Sequence, residues 1–205
     1  MEPVTTALTI AAFKKPIEDL CQGATGLIKG IGKKWQAAGI ADSIVQRVED
    51  LERVRTMFSN EPVAFSSFYY PSKVHSAQHA RSPMSVNSLT DLNKDGNVLI
   101  AGTLGQGKSM FMRHLCVQEA KTASSVPLFI ELRGIDGENG IDSLLRNALQ
   151  LLGFTDIDGT ILAFLFLSGR FVVFADGYDE VKREFALQTQ HDMTLLMNQY
   201  LQQDG

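Results

Sequence analysis

Asn97-Val98-Leu99-Ile100-Ala101-Gly102-Thr103-Leu104-Gly105-Gln106-Gly107-Lys108-Ser109 is the stretch on which the reading of the chain turns. An apolar, β-branched run passes into G-x-x-x-x-G-K-S, and a helical pattern from Met110 to Ala120 follows at once. Strand, glycine-rich loop, helix is the order in which a backbone cradles phosphate. Glycine has no Cβ, so the loop can adopt positive φ and turn successive N–H groups toward one anion. The helix then points its positive end at the same place. The expected nucleotide-binding set is Gly102, Gly105, Gln106, Gly107, Lys108, Ser109 and Met110. Lys108 reaches the β- and γ-phosphates, and the Ser109 hydroxyl is a Mg²⁺ ligand.

The remaining numbers bound this reading. A chain of 205 residues, 44% of them hydrophobic, holds one domain of ordinary size with a smaller appendage. A formal net charge of -4 leaves no basic footprint, which argues against direct nucleic-acid binding. Cys21 and Cys116 stand alone, with no C-x-x-C or histidine spacing, as in a reducing compartment without disulfides or zinc. Lys14 and Lys15 follow the first apolar residues rather than preceding them, unlike a signal peptide. The longest apolar run, Ile161 to Leu167, is far shorter than the ~18 residues a membrane span needs. The expectation is a soluble, cytoplasmic protein.

Residues 1–60 read as a helical N-terminal region. Pro16 suits a first helical turn, Gly23, Gly26, Gly30 and Gly32 interrupt the pattern, and a second helix starts after Asp42 as N-cap. That helix carries Ile44, Val48, Leu51, Val54 and Phe58 on one stripe. The lysines of the first forty residues form a solvated face, with a membrane-surface segment as the alternative. Residues 61–96 read as an extended lead-in, EPVAFSSFYYP, and a polar linker in which Val86 to Leu92 forms a short helix or strand. His75 and His79 have helical metal-ligand spacing, but the surrounding serines and Pro83 favour a loop.

Residues 97–205 alternate strand and helix. Val126 to Arg133 is the second apolar strand, Asp142 caps a helix through Leu152, and a further helix spans Thr160 to Leu167. Arg170 to Ala175 is the third strand, and a last helix from about Arg183 to Leu201 places Leu187, Met193, Leu196, Met197 and Tyr200 on one stripe. The fold class is therefore α/β, a P-loop NTPase parallel sheet of three strands preceded by a small helical region. Asp176, at the carboxyl end of the third strand, stands where a carboxylate holds Mg²⁺ beside the phosphates. Gly177 keeps the nucleotide uncrowded, and Asp179 or Glu180 is the acid that activates water.

On these residues the chain resembles the NACHT family of STAND nucleotide-binding switches. FVVFADGYDE, Phe171 to Glu180, is similar to the family's Walker B segment. VPLFIELR resembles the strand after its P-loop helix, GKSMFMRHL its helix start, and EPVAFSSFYYP the lead-in of bacterial members. The resemblance covers residues 61–205. It implies ATP or ADP with Mg²⁺, held by Lys108, Ser109 and Asp176, with Asp179 or Glu180 as the water-activating acid. It also implies that Phe68 to Tyr70 lie near the adenine, unless they are core aromatics, and that Arg133 supports the site or the sheet. Leu104 departs from the family, where many members carry proline.

In that family a further strand, bearing the sensor-1 arginine, separates the Walker A and Walker B strands. The implied chain is thus the N-terminal portion of a longer polypeptide, truncated before that strand, or a chain whose sheet another chain completes. Direct pairing of the Walker A and Walker B strands would count against this. The implied function is a slowly hydrolysing signalling switch that oligomerises on activation in innate immune or antiphage defence. Its self-association runs through the remainder of the chain, and its trigger ligand is not named by any motif. The alternatives are a P-loop small-molecule kinase, for which only Lys182 and Arg183 serve as lid cations, and an ATP-binding scaffold without turnover.

Overall fold

A computed structural model describes residues 10–24, 29–32, 34–56, 61–76, 83–92, 97–103, 105–123 and 125–201. The architecture is α/β. Helix α1 (Ile10–Gly23) buries Phe13, Ile17 and Leu20, a stripe at spacings of 4 and 3, against α3 (Ala37–Glu52). Pro16 lies inside α1 rather than in its first turn. The short α2 (Lys29–Gly32) connects them and spans two of the glycines expected to break helix; Gly26 lies outside the described residues.

Helix α3 begins at Ala37, with Gln36 as N-cap, because Ile40 and Ala41 carry the Ile44–Val48–Leu51 stripe one turn further back than Asp42. It ends at Glu52, so Val54 belongs to the two-residue strand β1 (Arg53–Val54), which pairs antiparallel with β2 (Val63–Ala64). The N-terminal region is therefore not purely helical, and Phe58 lies outside the described residues. The lead-in stays extended only at β2 and then coils into a 3-10 turn at Phe65–Ser67. In the linker β3 (Lys73–Val74) pairs with β4 (Met84–Ser85), and Leu89–Asp91 forms a 3-10 turn closed by a Ser88/Asp91 capping box. His75 follows β3 in irregular backbone, not in a helix; His79 lies outside the described residues.

Helix α4 (Lys108–Thr122) runs longer than its apolar pattern and packs on β5 (Val126–Glu131). Strand β5 stops at Glu131, where Leu132–Gly134 turns into 3-10 geometry. Helix α5 (Ile141–Leu151) starts one residue before Asp142, which sits in the first turn and accepts from Arg146 Nε at 2.6 Å instead of capping. Helix α6 (Gly159–Leu167) is capped by Asp158, whose Oδ1 accepts from Ile161 N at 2.8 Å. Strand β6 (Phe171–Asp176) pairs in parallel with β5, from Val126 opposite Phe171 to Glu131 opposite Asp176. Helix α7 (Arg183–Leu201) closes the order; Leu187 is 81% exposed and off its buried stripe, while Thr189 is buried.

The expected three-stranded sheet has two strands. Residues 97–103 form no ladder, and Leu99 is 91% exposed. A strand exists only through its neighbour's N–H and C=O groups, and β6 does not pair with this segment.

One core joins the N-terminal helices to the sheet. The Trp35 ring meets Phe154 edge-on at 5.0 Å, Phe154 meets Phe171 at 5.8 Å, and Trp35 Nε1 donates to Thr155 O at 3.3 Å. Similarly, Tyr69 stacks on His114 of α4 at 4.4 Å, and His114 Nε2 donates to Asn87 O at 3.0 Å. Both cysteines are free, and burial pushes the Cys116 thiol up to about 12. Among the described residues no helix is long and apolar enough to cross a membrane.

Replacing Trp35 with Ala removes the link between helices and sheet. It should cost about 3–5 kcal/mol and leave a single urea transition, read by circular dichroism; an unchanged midpoint would show that the link carries no stability. Burial holds the His114 imidazole below its ordinary value, outweighing its bond to Asn87. The unfolded chain therefore binds the proton more readily, so this contribution is present above the unfolded value near pH 6.5 and is lost as pH falls through the folded value. The Tm of the parent should drop over that acid range more steeply than that of His114→Gln.

Candidate functional site

The parallel register sets the site. Because Glu131 and Asp176 are partners at the last rung, two carboxylates end side by side at the carboxyl edge of the sheet. Helix α4 packs on both strands and brings its first turn to the same edge. Gly107 takes the left-handed conformation (φ 78°, ψ 22°) that turns the loop into the helix, a conformation costly for a residue with a Cβ. The first backbone bond of the helix runs from Phe111 N to Gly107 O at 2.9 Å, and no side chain caps its start. The N–H groups of Lys108, Ser109 and Met110 are thus the free donors of an uncapped helix end.

Two side chains of the loop fold over it. Gln106 Oε1 accepts from Thr103 N at 2.9 Å, in the space that a Cβ on Gly102 would enter at 2.6 Å. Lys108 Nζ donates to Gly102 O at 3.1 Å and to Thr103 O at 3.3 Å. The same ammonium pairs with Asp179 Oδ2 at 3.2 Å. With Lys108 22% and Asp179 53% exposed, that pair is worth about 1 kcal/mol or less.

Ser109 Oγ donates to Asp176 Oδ1 at 3.2 Å across 67 positions of sequence. Adjacent ligands in an octahedral Mg²⁺ shell, each about 2.1 Å from the metal, stand roughly 3 Å apart. The separation of the two oxygens is compatible with neighbouring positions of such a shell. Glycine again serves geometry after Asp176: Gly177 has φ 81° and starts the 3-10 turn Tyr178–Glu180. Tyr178 Oη donates to Ala186 O at 3.2 Å and ties that turn to α7.

The structure thus gathers Gly102, Gly105, Gln106, Gly107, Lys108, Ser109, Met110, Asp176, Asp179 and Glu180 around one edge, and it separates the two acids that the sequence leaves equivalent. Asp179 is committed to Lys108, whereas Glu180 has no ion pair among the described residues. Phe68 and Tyr70 are exposed; between them Tyr69 packs on α4 with its hydroxyl buried and unpartnered. Glu131 is the residue that sequence reasoning missed. It accepts from Arg133 Nη2 at 2.5 Å and pairs with Arg113 at 3.6 Å, joining α4, β5 and the following turn. Glu131 and the neighbouring Glu180 and Asp176 hold the Arg133 guanidinium above its ordinary value. The only sequence signal for this cluster is the Glu131-x-Arg133 spacing at a strand end. No group of three or more His, Cys, Asp or Glu side chains suited to a metal occurs among the described residues. Comparison with known protein families, characterised proteins and solved structures finds no match to this chain.

Proposed function

We propose that the chain binds a nucleoside triphosphate with Mg²⁺ in the Gly102–Ser109 loop and hydrolyses it slowly as a signalling switch. The observation that carries the reading is the 3.2 Å approach of Ser109 Oγ to Asp176 Oδ1 beside the uncapped start of α4. When bound, Mg²⁺ would supply charge neutralisation at the phosphates. Ser109 and Asp176 are the residues that would hold it. The free N–H groups of Lys108, Ser109 and Met110 receive phosphate oxygens, and Lys108 exchanges its loop carbonyls and Asp179 for them.

That exchange is the switching element. Lys108 has two sets of partners, and a triphosphate favours one of them, so nucleotide state shifts the balance between a closed and an opened loop. Asp179 is released only in the opened arrangement. Glu180, which has no ion pair among the described residues, takes the proton of an attacking water. Assignment to ATP, to a NACHT-type switch, to oligomerisation and to immune or antiphage signalling is supported by the sequence resemblance alone.

Binding of a fluorescent ATP analogue should be Mg²⁺-dependent and weaken about tenfold or more in Lys108→Ala, since a charge-assisted contact is lost. Asp176→Asn should remove the Mg²⁺ dependence while leaving Mg²⁺-free binding intact. Absence of binding in the parent chain overturns the proposal. For turnover, Glu180→Gln should retain nucleotide and lose about 100-fold or more in phosphate release. In contrast, Asp179→Asn should bind Mg²⁺-free nucleotide more tightly than the parent, because its competition for Lys108 is gone; the opposite ranking would exchange the two roles.

A further inference from the structure

The outer edge of β5 opens into a cleft of about 660 Å³ between α3, α4 and α5. This size lies within the range of ligand-binding clefts, and its lining shares no residue with the Gly102–Ser109 loop. Among the described residues strand β5 has one hydrogen-bonded neighbour, β6. Val126 N donates to Arg170 O, and in a parallel ladder the bonding alternates along the strand. Leu128 and Ile130 therefore face β6, while Pro127, Phe129 and Glu131 turn their backbone groups outward. Pro127 has no N–H to offer there, as befits an edge strand. What remains open is a short edge, the N–H and C=O groups of Phe129 and Glu131, at residues that line the cleft.

Backbone N–H and C=O groups at a strand edge require partners, from solvent or from a ligand. A ligand that satisfies both residues must itself alternate donors and acceptors along its length, as an extended peptide does. The walls specify its side chains. Helices α4 and α5 cover β5 from its two faces, so a strand laid beside it sends successive side chains to opposite walls. One wall holds Arg47 and Arg113, the latter with its guanidinium 5.6 Å from the Phe129 ring centroid. The other holds Leu144 and Leu151, and Leu151 is exposed.

The charge of the cleft has the opposite sign to that of the chain. Arg47, Arg113 and Arg133 line it against Asp50 and Glu131, in a protein of net charge -4. Glu131 is already engaged by two of these arginines, and Arg47 has no ion pair among the described residues. We propose that this cleft binds an extended peptide segment of alternating acidic and aliphatic residues, added as a strand to the Phe129–Glu131 edge of β5. Its carboxylates lie toward Arg47 and Arg113, and its aliphatic side chains lie on Leu144 and Leu151. The cleft shares no lining residue with the Gly102–Ser109 loop, although Glu131 is the register partner of Asp176.

The probe is a fluorescein-labelled hexapeptide, Glu-Leu-Glu-Val-Glu-Leu, titrated by anisotropy against the full chain at low salt. Binding should be measurable below about 1 mM. N-methylation of one alternate set of its amides should weaken binding about tenfold or more, and methylation of the other set should not, because only one edge of an added strand faces β5. The block-sequence isomer Glu-Glu-Glu-Leu-Val-Leu should bind as weakly as the first methylated form. On the protein, Arg47→Glu should lose about tenfold and Arg47→Lys should retain most of the affinity. Amide exchange at Phe129 and Glu131 should slow on adding the peptide, while Leu128 and Ile130 stay unchanged. Equal binding of the two methylated peptides would reduce the interaction to charge attraction and overturn strand addition, as would the absence of binding by the parent peptide.

Discussion

The parallel pairing of β5 with β6 is the constraint from which the rest of the structure follows. Six rungs in register fix Glu131 against Asp176 at one end and leave Phe171 beside Val126 at the other. A one-residue slip would turn every side chain of one strand to the opposite face, which two apolar, helix-covered strands make very costly. The backbone of Asp176 is therefore held in place by the ladder and by burial of Leu128, Ile130 and Phe174, and its side chain accepts from Ser109 Oγ. Because α4 packs on both strands, its first turn inherits the same precision. Ser109 reaches Asp176 across 67 positions because the core has already aligned their backbones.

Against that rigid frame the loop is held by weak forces. Its closing contacts are one amide oxygen, two carbonyls accepting from Lys108 and one half-exposed carboxylate. Each is worth about 1 kcal/mol net. A closure so constituted is weak beside the packing of the sheet. Stability resides in the strands and α4, and adaptability resides in the loop, as expected where function requires a local change.

How much of this the amino-acid sequence discloses depends on how local each determinant is. Strands β5 and β6 and helix α7 are legible because long apolar or periodic runs report burial directly. The position of Asp176 at the end of β6 is legible because the apolar run stops there, whereas its approach to Ser109 is set by the fold. The starts of α3 and α5 are not: Asp42 and Asp142 look like caps, yet buried Ile40 and Ile141 lie upstream and draw the helices back. The division of labour between Asp179 and Glu180 is hidden for another reason. The two acids are adjacent in a 3-10 turn, and only three-dimensional placement brings one of them within 3.2 Å of Lys108. The segment at 97–101 is the instructive failure. Its apolar pattern equals that of β6, but pattern measures what a segment can bury and says nothing of whether a neighbour is there to pair with.

The two edges of the sheet carry this contrast further. The outer edge of β5 is guarded: Pro127 removes a donor, charged side chains surround the open end, and only a short stretch of backbone remains for a partner of matching charge. The far edge of β6 has no such protection. Phe171 to Ala175 contains neither proline nor charge, and most of these residues are only half buried, whereas their neighbours in β5 from Val126 to Ile130 are fully buried. An apolar strand of this kind is stable only with cover on its free side. Leu99, apolar and 91% exposed in the unpaired segment before the loop, makes the same demand. The two edges therefore differ in kind: one is short and bordered by charge, and the other is apolar and only half buried among the described residues.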